Sequence, residues 1–99
     1  MKPEKIIGKT VVTAVTFVLK KGDEIISEKV NEFCGQVVEI SEEHGIVICN
    51  FDTQRQINLP LIFDAFKVAP KGYYVLRNGE FKVKDPELIC EMTLTKEAE

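Results

Sequence analysis

Ninety-nine residues are enough for one hydrophobic core, because chains this short do not divide their apolar surface between two domains. With 44% hydrophobic and 29% charged residues the composition is globular, which excludes collagen-like, low-complexity and wholly disordered chains. A formal net charge of -3 provides no general pull toward nucleic acid or an anionic membrane.

Residues 1–9 carry Pro3 among Lys2, Lys5 and Lys9 and read as a flexible arm ahead of a single β-rich domain over 10–95, with 96–99 fraying. Residues 10–19 are β-branched or aromatic at nearly every position and apolar on both parities. That pattern predicts a strand covered on both faces, either central in its sheet or shared with a second copy of the chain in a homodimer. The stretch is about half the roughly 20 residues of a bilayer-spanning helix. Lys20-Lys21-Gly22-Asp23 ends it with turn residues and offers no small-residue cleavage site.

Residues 24–34 admit two readings. Ile26, Val30 and Phe33 recur at helical spacing between an N-cap at Asp23 and a terminal Gly35. Against a helix stand the pairs Glu24/Glu28 and Glu28/Glu32, each costing about 0.2–0.5 kcal/mol. A short strand followed by a loop is preferred; the helix is the alternative and would make the domain α+β. Residues 35–40 and 46–51 then predict a hairpin joined by Ser41-Glu42-Glu43-His44-Gly45, with Gly45 at positive φ. Asp52-Thr53-Gln54 turns the chain into residues 55–59, whose alternation fits an edge strand open to partner pairing and ended by Pro60. Residues 61–66 suit one or two helical turns plugging the open end of a sheet or barrel.

Asn78-Gly79 is the dipeptide most favoured in a two-residue type I′ hairpin turn. Pairing outward from it opposes Arg77 to Glu80, Leu76 to Phe81, Val75 to Lys82, Tyr74 to Val83 and Tyr73 to Lys84. Tyr74, Leu76, Phe81 and Val83 then face the core, and Tyr73, Val75, Arg77, Glu80, Lys82 and Lys84 face water. Leu88, Cys90, Met92 and Leu94 alternate as a last strand.

Cys34, Cys49 and Cys90 are odd in number and widely spaced, which fits reduced thiols in a cytoplasm better than a disulfide framework. There is no C-x-x-C or H-x-x-H pair, and His44 lies among acids in a loop. No catalytic residue, metal site or cofactor is therefore predicted. Charge is uneven along the chain: residues 67–84 hold Lys67, Lys71, Arg77, Lys82 and Lys84 against Glu80 alone, a local balance of +4. Tyr73, Arg77, Lys82 and Lys84 thus form the candidate binding face, for a protein or, by stacking and phosphate contact, for a nucleic acid. The alternative reading of this face is a plain polar outer surface whose lysines block edge-to-edge pairing.

Lys21-Gly22-Asp23-Glu24-Ile25-Ile26, Phe33-Cys34-Gly35-Gln36-Val37-Val38-Glu39-Ile40 and Ile46-Val47-Ile48-Cys49-Asn50-Phe51-Asp52 together resemble Tudor-like and KOW-like SH3 barrels, including the C-terminal module of some repair helicases. The resemblance spans about residues 21–68. It implies a strongly bent five-stranded barrel that binds a protein or a nucleic acid. Glu24, Glu28 and Glu32 stand where a nucleic-acid face would carry basic residues, which turns the expectation toward protein. The expected fold is mostly β, a small SH3-like barrel with an added C-terminal hairpin and strand. The expected role is a non-catalytic protein-binding module, with nucleic-acid binding as the alternative.

Overall fold

The structure, a computed structural model, describes residues 5–76 and 82–98. The domain is mostly β, with strands β1 Thr10–Lys21, β2 Glu24–Ser41, β3 Gly45–Asn50, β4 Gln56–Leu59, β5 Phe66–Val68, β6 Tyr73–Val75, β7 Lys82–Lys84 and β8 Leu88–Glu97. Six of them form one sheet in the order β4-β3-β2-β1-β8-β5, while β6 and β7 pair separately as a hairpin. Every ladder is antiparallel except β1 with β8, which run parallel. A parallel pair needs a long connection, and here everything from β2 to β7 serves as one.

β1 is central, as its β-branched run predicts, with β2 on one side and β8 on the other. Val11, Thr13 and Val15 are buried on the inward face, whereas Val12, Ala14 and Thr16 on the reverse face are only half-buried. Coverage is therefore complete on the inward face only over Val11–Val15, and partial on the reverse face and beyond Val15.

Residues 24–34 are neither a helix nor a short strand with a loop. They are the first part of β2, an uninterrupted 18-residue strand paired with β1 from Lys21/Glu24 to Thr10/Gln36. The α+β alternative falls with this finding. The turn at Gly22, with φ 61°, returns the chain directly onto the β1 edge, so long-range pairing outcompetes the local helical spacing. It also relieves the Glu28/Glu32 repulsion, since residues four apart are about 13 Å apart in a strand and about 6 Å apart in a helix.

β2 pairs with β1 as far as Gln36 and with β3 from Gly35 onward. A β-carbon on Gly35 would run into the Cys49 carbonyl oxygen, so only glycine lets the two backbones approach there. A register shift between Val37 and Glu39 adds a bulge that increases the local twist. Gly45 takes φ 76° in the β2–β3 turn, as expected. β4 is an edge strand, and a single 3-10 turn at Phe63–Ala65, within the helical turns expected over 61–66, packs Phe63 and Ala65 against the core, while Leu61 and Ile62 stay exposed.

The core gathers Ile6, Val11, Val15, Phe33, Val37 and Ile46 with Ile48, Leu59, Phe66, Leu88, Cys90 and Met92. Ile6 corrects the expectation of a loose arm: from Lys5 onward the segment is docked. The Gly8 N–H donates to the Val37 carbonyl at 2.7 Å, and the Val37 N–H donates to the Lys9 carbonyl at 3.1 Å. Lys96 and Glu97 likewise belong to β8, and the Ala98 N–H donates to the Lys20 carbonyl at 2.6 Å, so residues 96–98 are paired rather than frayed. In both cases a neighbouring strand supplies the partners that a free end would lack.

The sheet is open. β4 and β5 are its edges, and among the described residues no ladder joins them. β8 lies beside β1, and β5, the strand that follows the 3-10 turn, lies on the far side of β8. Past the core, the ends of β2, β1 and β8 continue as a three-stranded extension. It raises the radius of gyration to 14.1 Å, against about 13 Å for a compact chain of this size.

Candidate functional site

The β6–β7 hairpin has the register its turn predicts, Tyr73 opposite Lys84, Tyr74 opposite Val83 and Val75 opposite Lys82. Leu76 and Val83 are buried and Tyr74 half-buried, whereas Tyr73 and Val75 stand 70% and 58% exposed on the outer face beside exposed Lys82 and Lys84. The Lys84 ammonium lies 5.8 Å from the centroid of the Tyr73 ring, within cation–π range. Arg77 and the Asn78-Gly79 turn lie outside the described residues.

The base of this hairpin is held by three hydrogen bonds. The Gly72 N–H donates to Asp85 Oδ1 at 2.7 Å, the Asp85 N–H donates to the Gly72 carbonyl at 2.8 Å, and the Tyr74 hydroxyl donates to the Pro70 carbonyl at 2.6 Å. Tyr73, Val75, Lys82 and Lys84 are thus presented from an anchored base. Inward, Leu76 helps close a cleft of about 260 Å³ with Asn31, Phe33, Asn50, Asp52 and Ile57.

Cys34 and Cys90 are placed as packing groups, whereas Cys49 is half-buried. Burial pushes the Cys34 pKa up, and burial followed by the neighbouring Glu91 charge pushes Cys90 up to about 12. Thiols so shifted are almost entirely protonated at neutral pH and are poor nucleophiles. Among the described residues no cluster of three His, Cys, Asp or Glu side chains converges as a metal site.

Two exposed carboxylates staple loops to the sheet. Glu39 Oε2 lies 2.7 Å from His44 Nδ1 and accepts from Ser41 Oγ at 2.9 Å, while the His44 N–H donates to Ser41 Oγ at 3.0 Å. These contacts, His44 first and Ser41 second, hold the Glu39 carboxyl below its ordinary range. Asn58 Nδ2 donates to the His44 carbonyl at 3.1 Å and ties the same turn to β4. The acidic loop that reads as a solvated turn is therefore an organised one. At the start of β8, Glu87 accepts the Thr10 N–H and the Lys9 ammonium, each at 3.2 Å. The Thr10 bond, then the Lys9 bond, lowers its carboxyl.

A second exposed surface lies on the extension, where no sequence motif marks it. Phe17 of β1 sits between Lys29 of β2 and Leu94 of β8, and Leu19 sits between Ser27 and Lys96. All six continue the inward face of the sheet beyond the core. Phe17 is 42% exposed, and Leu19 and Leu94 are half-buried. Together they line a groove of about 460 Å³. The period-two pattern of each strand contains this surface, but it emerges only when the β1–β8 register is known.

No protein-family model, curated protein or solved structure matches the chain. Among the described residues no helix is long and apolar enough to cross a membrane.

Proposed function

We propose that this chain is a non-catalytic protein-binding module of the cytoplasm. The observation that carries the reading is the outer face of the β6–β7 hairpin, where Tyr73 and Val75 stand largely exposed beside Lys82 and Lys84. A tyrosine has few torsions to immobilise and contributes both apolar area and a hydroxyl, which makes it an effective interface anchor. The flanking lysines steer and orient a partner more than they hold it. The sequence pairing adds Arg77 to the same face. The likeness of residues 21–68 to Tudor-like and KOW-like modules, which bind rather than catalyse, supports the reading. On this view the sheet is an SH3-like barrel opened by β8.

Nucleic acid is the second reading, favoured by the basic 67–84 segment and by the aromatic–lysine pair at Tyr73 and Lys84. Affinity capture from cytoplasmic extract with the wild-type chain, Tyr73→Ala and Lys82→Glu tests both, run beside a salt titration against single-stranded DNA and RNA. A protein partner lost from both variants supports the proposal, and one retained by both removes the hairpin face. Single-strand binding that weakens steeply with salt and vanishes in Lys82→Glu replaces the protein reading with the nucleic-acid one.

A further inference from the structure

The extension presents a surface on strands other than those of the hairpin face. Strand alternation divides its charges between two sides: Lys29 and Lys96 share the inward side with Phe17, Leu19 and Leu94, while Glu28, Lys20 and Glu97 lie on the reverse, with Glu32 and Glu91 on that same side nearer the core. Among the described residues the one acid on the inward side of the extension is Glu24, at the tip beside Lys21. Among the described residues neither Lys29 nor Lys96 has an ion-pair partner. A chain of net charge -3 thus presents an apolar groove bordered by two unpaired ammonium groups.

We propose that this groove docks an acidic, apolar segment of a partner protein, with a hydrophobic side chain seated on Phe17, Leu19 and Leu94 and carboxylates reaching Lys29 and Lys96. The assignment rests on the reading of the chain as a protein-binding module and gives it a second surface. Charge decides against a second copy as the occupant. Two such faces stacked on each other would gather the Lys29 and Lys96 ammonium groups of both copies around one apolar contact, with Glu24, at the tip beside Lys21, as the carboxylate each side contributes among the described residues.

The spacing narrows the segment further. Lys29 and Lys96 are two strands and two residues apart, so their backbones are separated by roughly 12 Å. In an extended segment, acids four positions apart are about 13 Å apart on one face, with the residue midway pointing the same way. The occupant is therefore an extended stretch with an apolar residue midway between two carboxylates four positions apart.

The test uses two fluorescein-labelled peptides, each with a Leu midway between two Glu or, in the control, two Lys, measured by anisotropy at low salt. The wild-type chain should prefer the Glu peptide by about tenfold, and the double variant Lys29→Glu/Lys96→Glu should prefer the Lys peptide. Phe17→Ser should weaken both complexes, and an unchanged urea midpoint in the charge-reversal variant confirms that it folds. Equal binding of the two peptides, binding of neither, or a preference that survives the reversal overturns the proposal. A concentration-dependent dimer seen by sedimentation and dissociated by Phe17→Ser also overturns it, by assigning the groove to a second copy. Tyr73→Ala should leave peptide binding unchanged. If the peptides fail while Tyr73-dependent capture persists, the groove assignment alone is lost.

Discussion

Thr13→Val exchanges a hydroxyl for a methyl at a position with no solvent exposure. Thr13 lies on the inward face of β1, flanked by Phe33 of β2 and Cys90 of β8, and its Oγ1 has no hydrogen-bond partner among the described residues. An unbonded buried hydroxyl costs about 1–3 kcal/mol in lost hydration, and an added buried methyl contributes up to about 0.8 kcal/mol. Allowing for slight crowding, the variant should be more stable by about 1–2 kcal/mol, which for a chain of this length raises Tm by roughly 5–10 °C. Thr13→Ser keeps the hydroxyl and deletes the methyl, and should lose about 1 kcal/mol. The chain has no Trp, so urea unfolding is followed by far-ultraviolet circular dichroism, with midpoint and slope both recorded. A shifted midpoint at constant slope reports native-state stability. A lower midpoint for Thr13→Val would refute the reasoning, because it would mean that the hydroxyl makes a bond worth keeping.

Gly35→Ala places a β-carbon against the Cys49 carbonyl, a backbone group that no rotamer change can move aside, and should cost about 2–3 kcal/mol in urea unfolding. Wild-type stability would show that β2 and β3 part freely at that point. Under native conditions a thiol reagent should label half-buried Cys49 well before Cys34 and Cys90, as read by peptide mass spectrometry; rapid labelling of Cys90 near neutral pH would contradict its upward-shifted pKa. Glu39 and Glu87 have folded pKa values below the ordinary 4.5, so their stabilisation is present above that value and is lost as pH falls through the lowered ones. The urea midpoint should therefore decline below about pH 4.5, and it should decline less in Glu87→Gln; an identical acid profile for the variant would show that Glu87 adds nothing.

Elements set by local chemistry were legible in the sequence. The Asn78-Gly79 pair was enough to deduce the Tyr73/Lys84 register, and hence that Tyr73, Lys82 and Lys84 share the exposed face. Gly45 at positive φ, the edge position of β4 and the alternation of β8 followed in the same way, because a turn or a period of two depends on few neighbours. Residues 24–34 failed for the opposite reason. Their helical spacing is real, but the β1 edge, which local spacing does not contain, supplies more backbone hydrogen bonds than an isolated short helix can.

The paired ends belong to the same class. Ile6 is buried and Ala98 is tied to Lys20 because strands distant in sequence lie beside them. The groove depends most on tertiary structure, since Phe17 and Leu94 meet across a parallel ladder between the first and last long strands of the chain. Alternation along each strand sets which side chains share a face, and it is written in the sequence. Which strands are neighbours depends on pairings between distant parts of the chain, as where β8 lies beside β1 with β5 beyond it, and these are decided only when the whole chain packs at once.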